Sequence, residues 1–468
     1  MAFQYWKTGY RSGITESDPV EEVRVDDKKA GFRQYFGLTF LIGLGFFTMG
    51  LMDPLYDSQV PVFLDRLLPR KSLVGLVMTL DNVFALFLIP LVSHISDNTR
   101  TRIGRRMPFI LVTLPLSALF FGAIPFFAAS LVSIIIVLFL LNLFKQSARG
   151  PVVALMPDSV PGKFRSEANG VINTMGGIAA IVGTAALNPL MDLSVTLPLI
   201  GDTLNKLPFV LAAVLVVVAT IILAIFVRER QEAKESEERE PLLKSLKIVA
   251  GAKDKSALWI LVSIFLWFLG YQGLTPFVTL YAMDAFDVTR GIGGMSLAPV
   301  AIAYTLGAIP SGYLAHKIGR KKTIRISLIG AAVVTALIFV HGVVMDAVGA
   351  SPNAALYSFW ACLFIFGVFW GSIITNSFPM LWQMATFANV GVYTGLYYFF
   401  SQAAAITAPP FAGAIIDGFG YRALFLVAAA CLVAAFVVMG LVSGGEPDSE
   451  AHTLANDGDG DAADAAAP

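Results

Sequence analysis

SHISDNTRTRIGRRMPFI, residues Ser93–Ile110, and SGYLAHKIGRKKTIRI, residues Ser311–Ile326, are the two stretches on which the fold turns. Each is a short basic segment between long apolar runs, and each follows the second run of its half of the chain. Aligning Ile103-Gly104-Arg105-Arg106 with Ile318-Gly319-Arg320-Lys321 superposes them. The enrichment of Lys and Arg in cytoplasmic loops accounts for a short basic loop by itself. A shared Ile-Gly-Arg-basic core in the same ordinal loop points further, to two parallel repeats related by an axis along the membrane normal.

The composition agrees. Of 468 residues 56% are hydrophobic and 14% charged, against roughly 25% charged in an average soluble domain, and the mean hydropathy is +0.72. Apolar runs fall at about 36–59, 73–95, 108–129, 131–157, 168–190 and 207–227, then at about 257–283, 292–315, 323–346, 354–384, 388–416 and 420–443. Each is close to or above the roughly 20 residues that a bilayer-spanning helix needs. Barrel strands would be shorter and alternating. The expected fold is an all-α membrane protein with twelve transmembrane helices in two pseudo-symmetric six-helix halves. The expected division is an N-tail over 1–35, a first bundle over 36–227, a linker over 228–256, a second bundle over 257–443 and an acidic, disordered tail over 444–468.

Residues 1–33 are polar and lack the apolar core of a signal peptide. Of the 33 Lys and Arg, 25 fall on one side of the predicted spans, six in the opposite loops and two, Lys145 and Arg149, inside span 4. That asymmetry predicts both termini on the cytoplasmic side. A net charge of +0 gives no reason to expect nucleic acid. Cys362 and Cys431 both lie in apolar runs, so no disulfide or metal framework is expected. No HExxH, nucleophile elbow, phosphate-binding glycine loop or Cys/His cluster occurs, so neither enzymatic chemistry nor a cofactor is expected.

The loop Asp97-Asn-Thr-Arg-Thr-Arg-Ile-Gly-Arg-Arg-Met-Pro108 resembles the loop motif of the major facilitator superfamily. Its long form is similar to the sucrose-transporter-like and glycoside–pentoside–hexuronide carriers, as are Ala154-Leu-Met-Pro-Asp158 with Arg165-Ser-Glu-Ala-Asn-Gly170, Asn376-Ser-Phe-Pro-Met380 and Tyr393-Thr-Gly-Leu-Tyr-Tyr-Phe-Phe-Ser401. The resemblance runs from about Phe36 to Gly440 and implies alternating-access transport of a di- or oligosaccharide or other glycoside by a monomer. There are departures. Ser93 stands for the usual Gly, Asn98 for the basic residue after the Asp, and His316 for the second loop's Asp. Val153 stands where plant-type sucrose carriers have an arginine, with Arg149 one turn away. The span-2 carboxylates of melibiose-type sodium symporters would fall near Ala85 and Ile89, which are not acidic. A proton is therefore the expected coupling ion.

An ionisable group at the bilayer centre costs from about 2.5 to more than 10 kcal/mol, so it faces a wet cavity or finds a partner. The candidates are Asp53 and Asp57 in span 1, Asp81 in span 2, and Lys145 and Arg149 in span 4. Asp53 and Asp57 are one turn apart, as are Lys145 and Arg149. Asp57 as a solvated helix end and Arg149 snorkelling to the interface are the competing placements. Asp81, Lys145 and Arg149 are expected to form a charge-balanced group, with Asp81 as the proton acceptor.

A sugar presents hydroxyls on its rim and C–H on its faces. It is bound by planar polar groups and aromatic rings. Tyr56, Arg149, Trp267, Tyr271, Gln272, Asn376, Tyr397, Tyr398 and Gln402 are the candidates, helix packing being the alternative for each. Asp97, Arg100, Arg102, Gly104, Arg105 and Arg106, with Gly319 and Arg320 in the second copy, are expected to form a gating loop that latches the halves in the outward-facing state, or else to orient the chain and contact anionic lipid. Export of a drug or organic anion is the competing function. A net-positive cavity would favour an anion and a net-neutral one a sugar.

Overall fold

In a hydrocarbon solvent every backbone N–H and C=O must be satisfied within the protein, which a helix does by itself. The computed structural model describes residues 32–161, 164–198, 200–227, 229, 255–384 and 390–443. The N-tail up to residue 31, linker residues 230–254, the first residues expected of span 11 and the acidic tail from 444 lie outside them. Among the described residues twelve helices are long and apolar enough to cross a membrane.

The first half holds α1 (Arg33–Asp65), α2 (Lys71–Asn98), α3 (Met107–Phe127), α4 (Leu131–Ser159), α5 (Glu167–Asp192) and α6 (Leu207–Phe226). The second holds α7 (Ser256–Phe286), α8 (Arg290–Ile318), α9 (Arg320–Met345), α10 (Pro352–Gln383), α11 (Val392–Phe419) and α12 (Tyr421–Gly440). Within the first half α1 packs on α5 and α6, α4 on α2 and α3, and α3 on α6. The second half repeats these five pairings: α7 on α11 and α12, α10 on α8 and α9, and α9 on α12. The duplication read from the two loops is thus a duplication of helix packing. Between the halves, α2 lies against α11 and α5 against α8, with α1 meeting α7.

Three irregularities position polar groups. The helix of α1 runs on to Asp65, six residues beyond the apolar run, so Asp57 sits inside it and is not an end or a cap. In α5 the regular helix stops at Ile181, widens through Val182–Leu187 and tightens over Asn188–Asp192, where Pro189 cannot donate. This re-aims Asn188 and Asp192 towards the second half. In α7 a tight turn at Thr275–Phe277 interrupts the helix beside Pro276.

Candidate functional site

The centre of the first half is built on one face of α4. Asn142, Lys145, Gln146 and Arg149 recur at helical spacing, and each has a polar partner. Lys145 Nζ donates to Asp53 Oδ1 of α1 at 2.9 Å and lies 3.1 Å from Asp81 Oδ1 of α2. It also stands 4.7 Å from the centre of the Tyr56 ring, a cation–π contact in a site removed from water. Asn142 Nδ2 donates to the Tyr56 hydroxyl at 3.2 Å, fixing that ring. Gln146 Nε2 donates to Asp81. The buried ammonium thus holds α1 and α2 to α4, with Asp53 as well as Asp81 for partners.

Arg149 is placed differently. Its guanidinium is 3.9 Å from Asp53 Oδ2 and 43% exposed, whereas Lys145 is 3% exposed. Arg149 is one turn nearer the basic loops, so access to water increases in that direction. Asp57 has no cation within 4.0 Å among the described residues.

Both Asp57 and Arg149 face a cavity of about 200 Å³ between the halves. Asp53, Met78, Asp81 and Asn82 complete its first-half wall, and Gln272, Thr275 and Gln402 supply the polar groups of its second-half wall. The formal charge of this lining is three carboxylates against one guanidinium, with Lys145 behind Asp53 and Asp81.

The other expected binding residues divide. Tyr398 is 56% exposed and packs edge-on against Phe378. Tyr271 stacks on Trp370 with centroids 4.1 Å apart, next to the cavity residue Gln272. Tyr56 is buried and carries Lys145 without lining the cavity. Trp267, Asn376 and Tyr397 are also buried and do not line it. Asn376 donates to the Ser372 carbonyl of its own helix at 2.8 Å, and Tyr397 stacks on Phe378 at 3.7 Å with its hydroxyl 3.1 Å from Ser377 Oγ. In this conformation burial inside the second half keeps these three from the cavity, Asn376 and Tyr397 with hydrogen bonds of their own.

The first basic loop forms a charge network within its own half. Arg106 pairs with Asp97, its Nε lies 3.0 Å from Asp158 Oδ2, and Arg105 Nη2 lies 2.6 Å from Asp158 Oδ1. Gly104 takes φ +112°, and Glu229 packs against it, accepting from Arg106 N at 2.7 Å and Met107 N at 3.3 Å. Glu229 therefore caps the start of α3. Arg100 donates to the Asp97 carbonyl at 2.6 Å, and Arg102 is exposed. In the second copy Gly319 has φ +90°, Arg320 donates to the Pro379 carbonyl at 3.2 Å and Lys321 to the Gly440 carbonyl at 3.2 Å. The two loops share a position and a glycine turn.

At the end of the bundle away from these loops the halves are clasped. Arg290, counted in a loop by the sequence, is 4% exposed; its Nε donates to Gln59 Oε1 at 2.5 Å and its Nη2 to the Gln59 carbonyl at 2.8 Å, while the guanidinium lies 3.7 Å from the Phe63 ring centre. Gln59 Nε2 donates to Asn188 Oδ1 at 2.6 Å, and Asn188 Nδ2 to the Gly294 carbonyl at 3.1 Å. Sequence reading missed Gln59, Asn188 and Arg290. The only signal was an amide in each of two apolar runs, which does not reveal a partner 231 residues away.

Comparison with known proteins gives this architecture a family. The Major Facilitator Superfamily model matches residues 35–304 and 283–463. The tetracycline resistance protein, class H, of Pasteurella multocida is 26% identical over 299 residues, 62% of this chain and 68% of that protein. The structure is similar to a bacterial homolog of the human lysosomal transporter Spinster in an inward-facing, unoccupied conformation, with a TM-score of 0.70 and 13% identity over 88% of this chain and 98% of that one. It is also similar to the nucleoside transporter NupG, with a TM-score of 0.69 and 12% identity over 87% of this chain and 100% of that one. The chain belongs to the Major Facilitator Superfamily: it is a multi-pass membrane transporter of small-molecule solutes rather than an enzyme.

Proposed function

From that membership we propose that the chain is a proton-coupled symporter of a neutral, hydroxyl-rich solute, a di- or oligosaccharide or glycoside, working by alternating access. The observation that carries this reading is Asp57. Lys145 compensates Asp53 and Asp81 directly, and Arg149 stands beside Asp53, while Asp57 faces the cavity with no cation within reach among the described residues. A bound proton neutralises it and leaves the five-residue group with no net charge. The role of proton carrier, expected of Asp81, passes to Asp57 because Lys145 and Gln146 already occupy Asp81.

The walls support the solute class. Gln272, Gln402, Asn82 and the Arg149 fork offer planar donors and acceptors of the kind that match hydroxyl pairs, and no net-positive surface invites an anion. With the basic loops on the cytoplasmic side, as the Lys and Arg asymmetry supports, the clasped end faces outward and this conformation opens inward.

The second reading, export of a drug in exchange for protons, draws on the similarity to a tetracycline resistance protein. The same charge group would serve it, with a cationic or neutral drug in place of the sugar.

Uptake of a radiolabelled sugar panel into proteoliposomes, with and without a pH gradient and with and without sodium, tests the proposal. Sugar-dependent proton entry is expected for at least one member. Proton-driven movement of tetracycline with no sugar-dependent proton flux would overturn the symport reading in favour of export.

A further inference from the structure

Two carboxylates join the halves at matching places in the repeat. Asp192 ends α5, the fifth span of the first half, and reaches the start of α8, the second span of the other half. Its Oδ2 accepts from Thr289 Oγ1 at 2.6 Å and its Oδ1 from Gly291 N at 3.0 Å. Asp417 lies near the end of α11, the fifth span of the second half, and reaches the start of α2. Its Oδ1 accepts from Lys71 N at 2.7 Å, and its Oδ2 from Ser72 N at 3.0 Å and Ser72 Oγ at 2.7 Å. Each half thus sends a fifth-span carboxylate to the second-span N-terminus of the other.

The first N–H groups of a helix have no partner inside it, and the helix dipole is positive there, so a carboxylate fits both needs. The backbones also approach closely at both places. A Cβ on Gly291 would fall on the Asp192 carboxylate and the Asn188 carbonyl, and one on Gly413, a turn before Asp417, would fall on the Lys71 carbonyl. In each case glycine permits the contact that the acid completes.

Both contacts lie at the end clasped by Gln59 and Arg290, away from the basic loops. Opening the cavity at that end requires α2 to part from α11 and α5 from α8, which breaks both. In the opened state the acids and the helix starts meet water instead. The contacts therefore stabilise one state and not the other, which is the condition for setting an equilibrium.

We propose that Asp192 and Asp417 are a symmetric pair of inter-half latches whose release opens the cavity at the end away from the basic loops. This rests on alternating access, and on neither the solute nor the coupling ion.

The test uses the full chain with Cys362→Ser and Cys431→Ser, reconstituted in lipid nanodiscs without sugar or ion gradient. Nitroxide labels at Leu204→Cys and Val348→Cys report the clasped end, and labels at Ile103→Cys and Ile318→Cys the basic-loop end. Asp192→Ala and Asp417→Ala are each expected to raise the ratio of long to short distances at the clasped end about tenfold, with the opposite change at the other end. The double variant should combine them. Thr289→Val and Ser72→Ala, which remove one donor and keep the acid, should shift the same ratio less, and they serve if an Asp variant fails to fold. Unchanged distances in the double variant, or in both donor variants where the acids fail to fold, would overturn the proposal, as would an effect confined to one latch. Because no transport is measured, failure of the sugar or proton assignment leaves this result standing.

Discussion

The Lys145 ammonium lies 2.9 Å from the Asp53 carboxylate, joining α4 to α1 inside an apolar bundle. Removing one member of a buried pair leaves the other charge unpaired, which costs about 3–5 kcal/mol. Lys145 has a second acid at 3.1 Å, so Lys145→Met strands two carboxylates. Its thermal unfolding midpoint in detergent should fall clearly below that of the wild type. Adding Asp53→Asn and Asp81→Asn to Lys145→Met should recover much of the loss, since neither carboxylate that faced the ammonium is then left charged. Equal stability of Lys145→Met and wild type would remove the structural role assigned to the pair.

Asp57→Asn separates coupling from translocation. The amide keeps the size and polarity of the cavity wall but cannot release a proton. Uptake driven by a pH gradient in proteoliposomes should fall at least about tenfold, the equivalent of about 1.4 kcal/mol. Exchange of labelled for unlabelled solute at equal pH should persist. Asp81→Asn should behave otherwise, lowering both activities, because Asp81 is part of the Lys145 structure. Full gradient-driven uptake by Asp57→Asn would return the proton to another group.

Arg149→Lys tests whether the guanidinium is a ligand or only a charge. The ammonium preserves the charge beside Asp53 and loses the planar fork that can hold two hydroxyls at once. The expected result is a KM raised about tenfold with the fold stability unchanged. An unaltered KM would assign Arg149 to electrostatic balance alone.

In the basic loop, Glu229 caps the first amides of α3 and packs where Gly104 has no side chain. Loss of a cap costs about 0.5–2 kcal/mol. Glu229→Ala should lower the unfolding midpoint by that measure, and Gly104→Ala should do the same through strain at φ +112° and collision with Glu229. Equal midpoints for both variants and the wild type would show that the loop geometry does not depend on this contact.

Much of this was legible where the sequence opposes its environment. Twelve apolar runs and a repeated Ile-Gly-Arg-basic loop specify the architecture, because a bilayer admits few alternatives. The five intramembrane charges stood out for the same reason, and four of them meet as ion pairs. Amides carry no such signal. Asn142 and Gln146 of α4 were not singled out in the sequence either, although they recur at helical spacing with Lys145 and Arg149. Gln59 and Asn188 have partners across the halves, and Asn188 is aimed there by the irregular end of α5, which no local pattern announces. Aromatic residues misled in the opposite way: Trp267 and Tyr397 look like sugar platforms in sequence, yet packing buries both.

Arg290 supplies the last test. It is a buried guanidinium with no carboxylate within 4.0 Å among the described residues; its acceptors are Gln59 Oε1 and the Gln59 carbonyl, and Nη1 has no hydrogen-bond partner in this structure. Gln59→Leu removes the side-chain acceptor while the charge stays buried, costing about 1–3 kcal/mol in the clasped state. That cost is absent when the halves part and Arg290 meets water. Gln59→Leu should therefore make a single cysteine at Val60, buried beside the clasp, more reactive to a membrane-impermeant maleimide added from the clasped side, by about tenfold in rate. Arg290→Met alone leaves the Gln59 amide oxygen without its donor and should also loosen the clasp. Combined with Gln59→Leu, it replaces both polar partners with apolar ones and should bring the labelling rate back towards that of the parent. If the double variant labels as fast as Gln59→Leu, the buried charge is not what drives the halves apart.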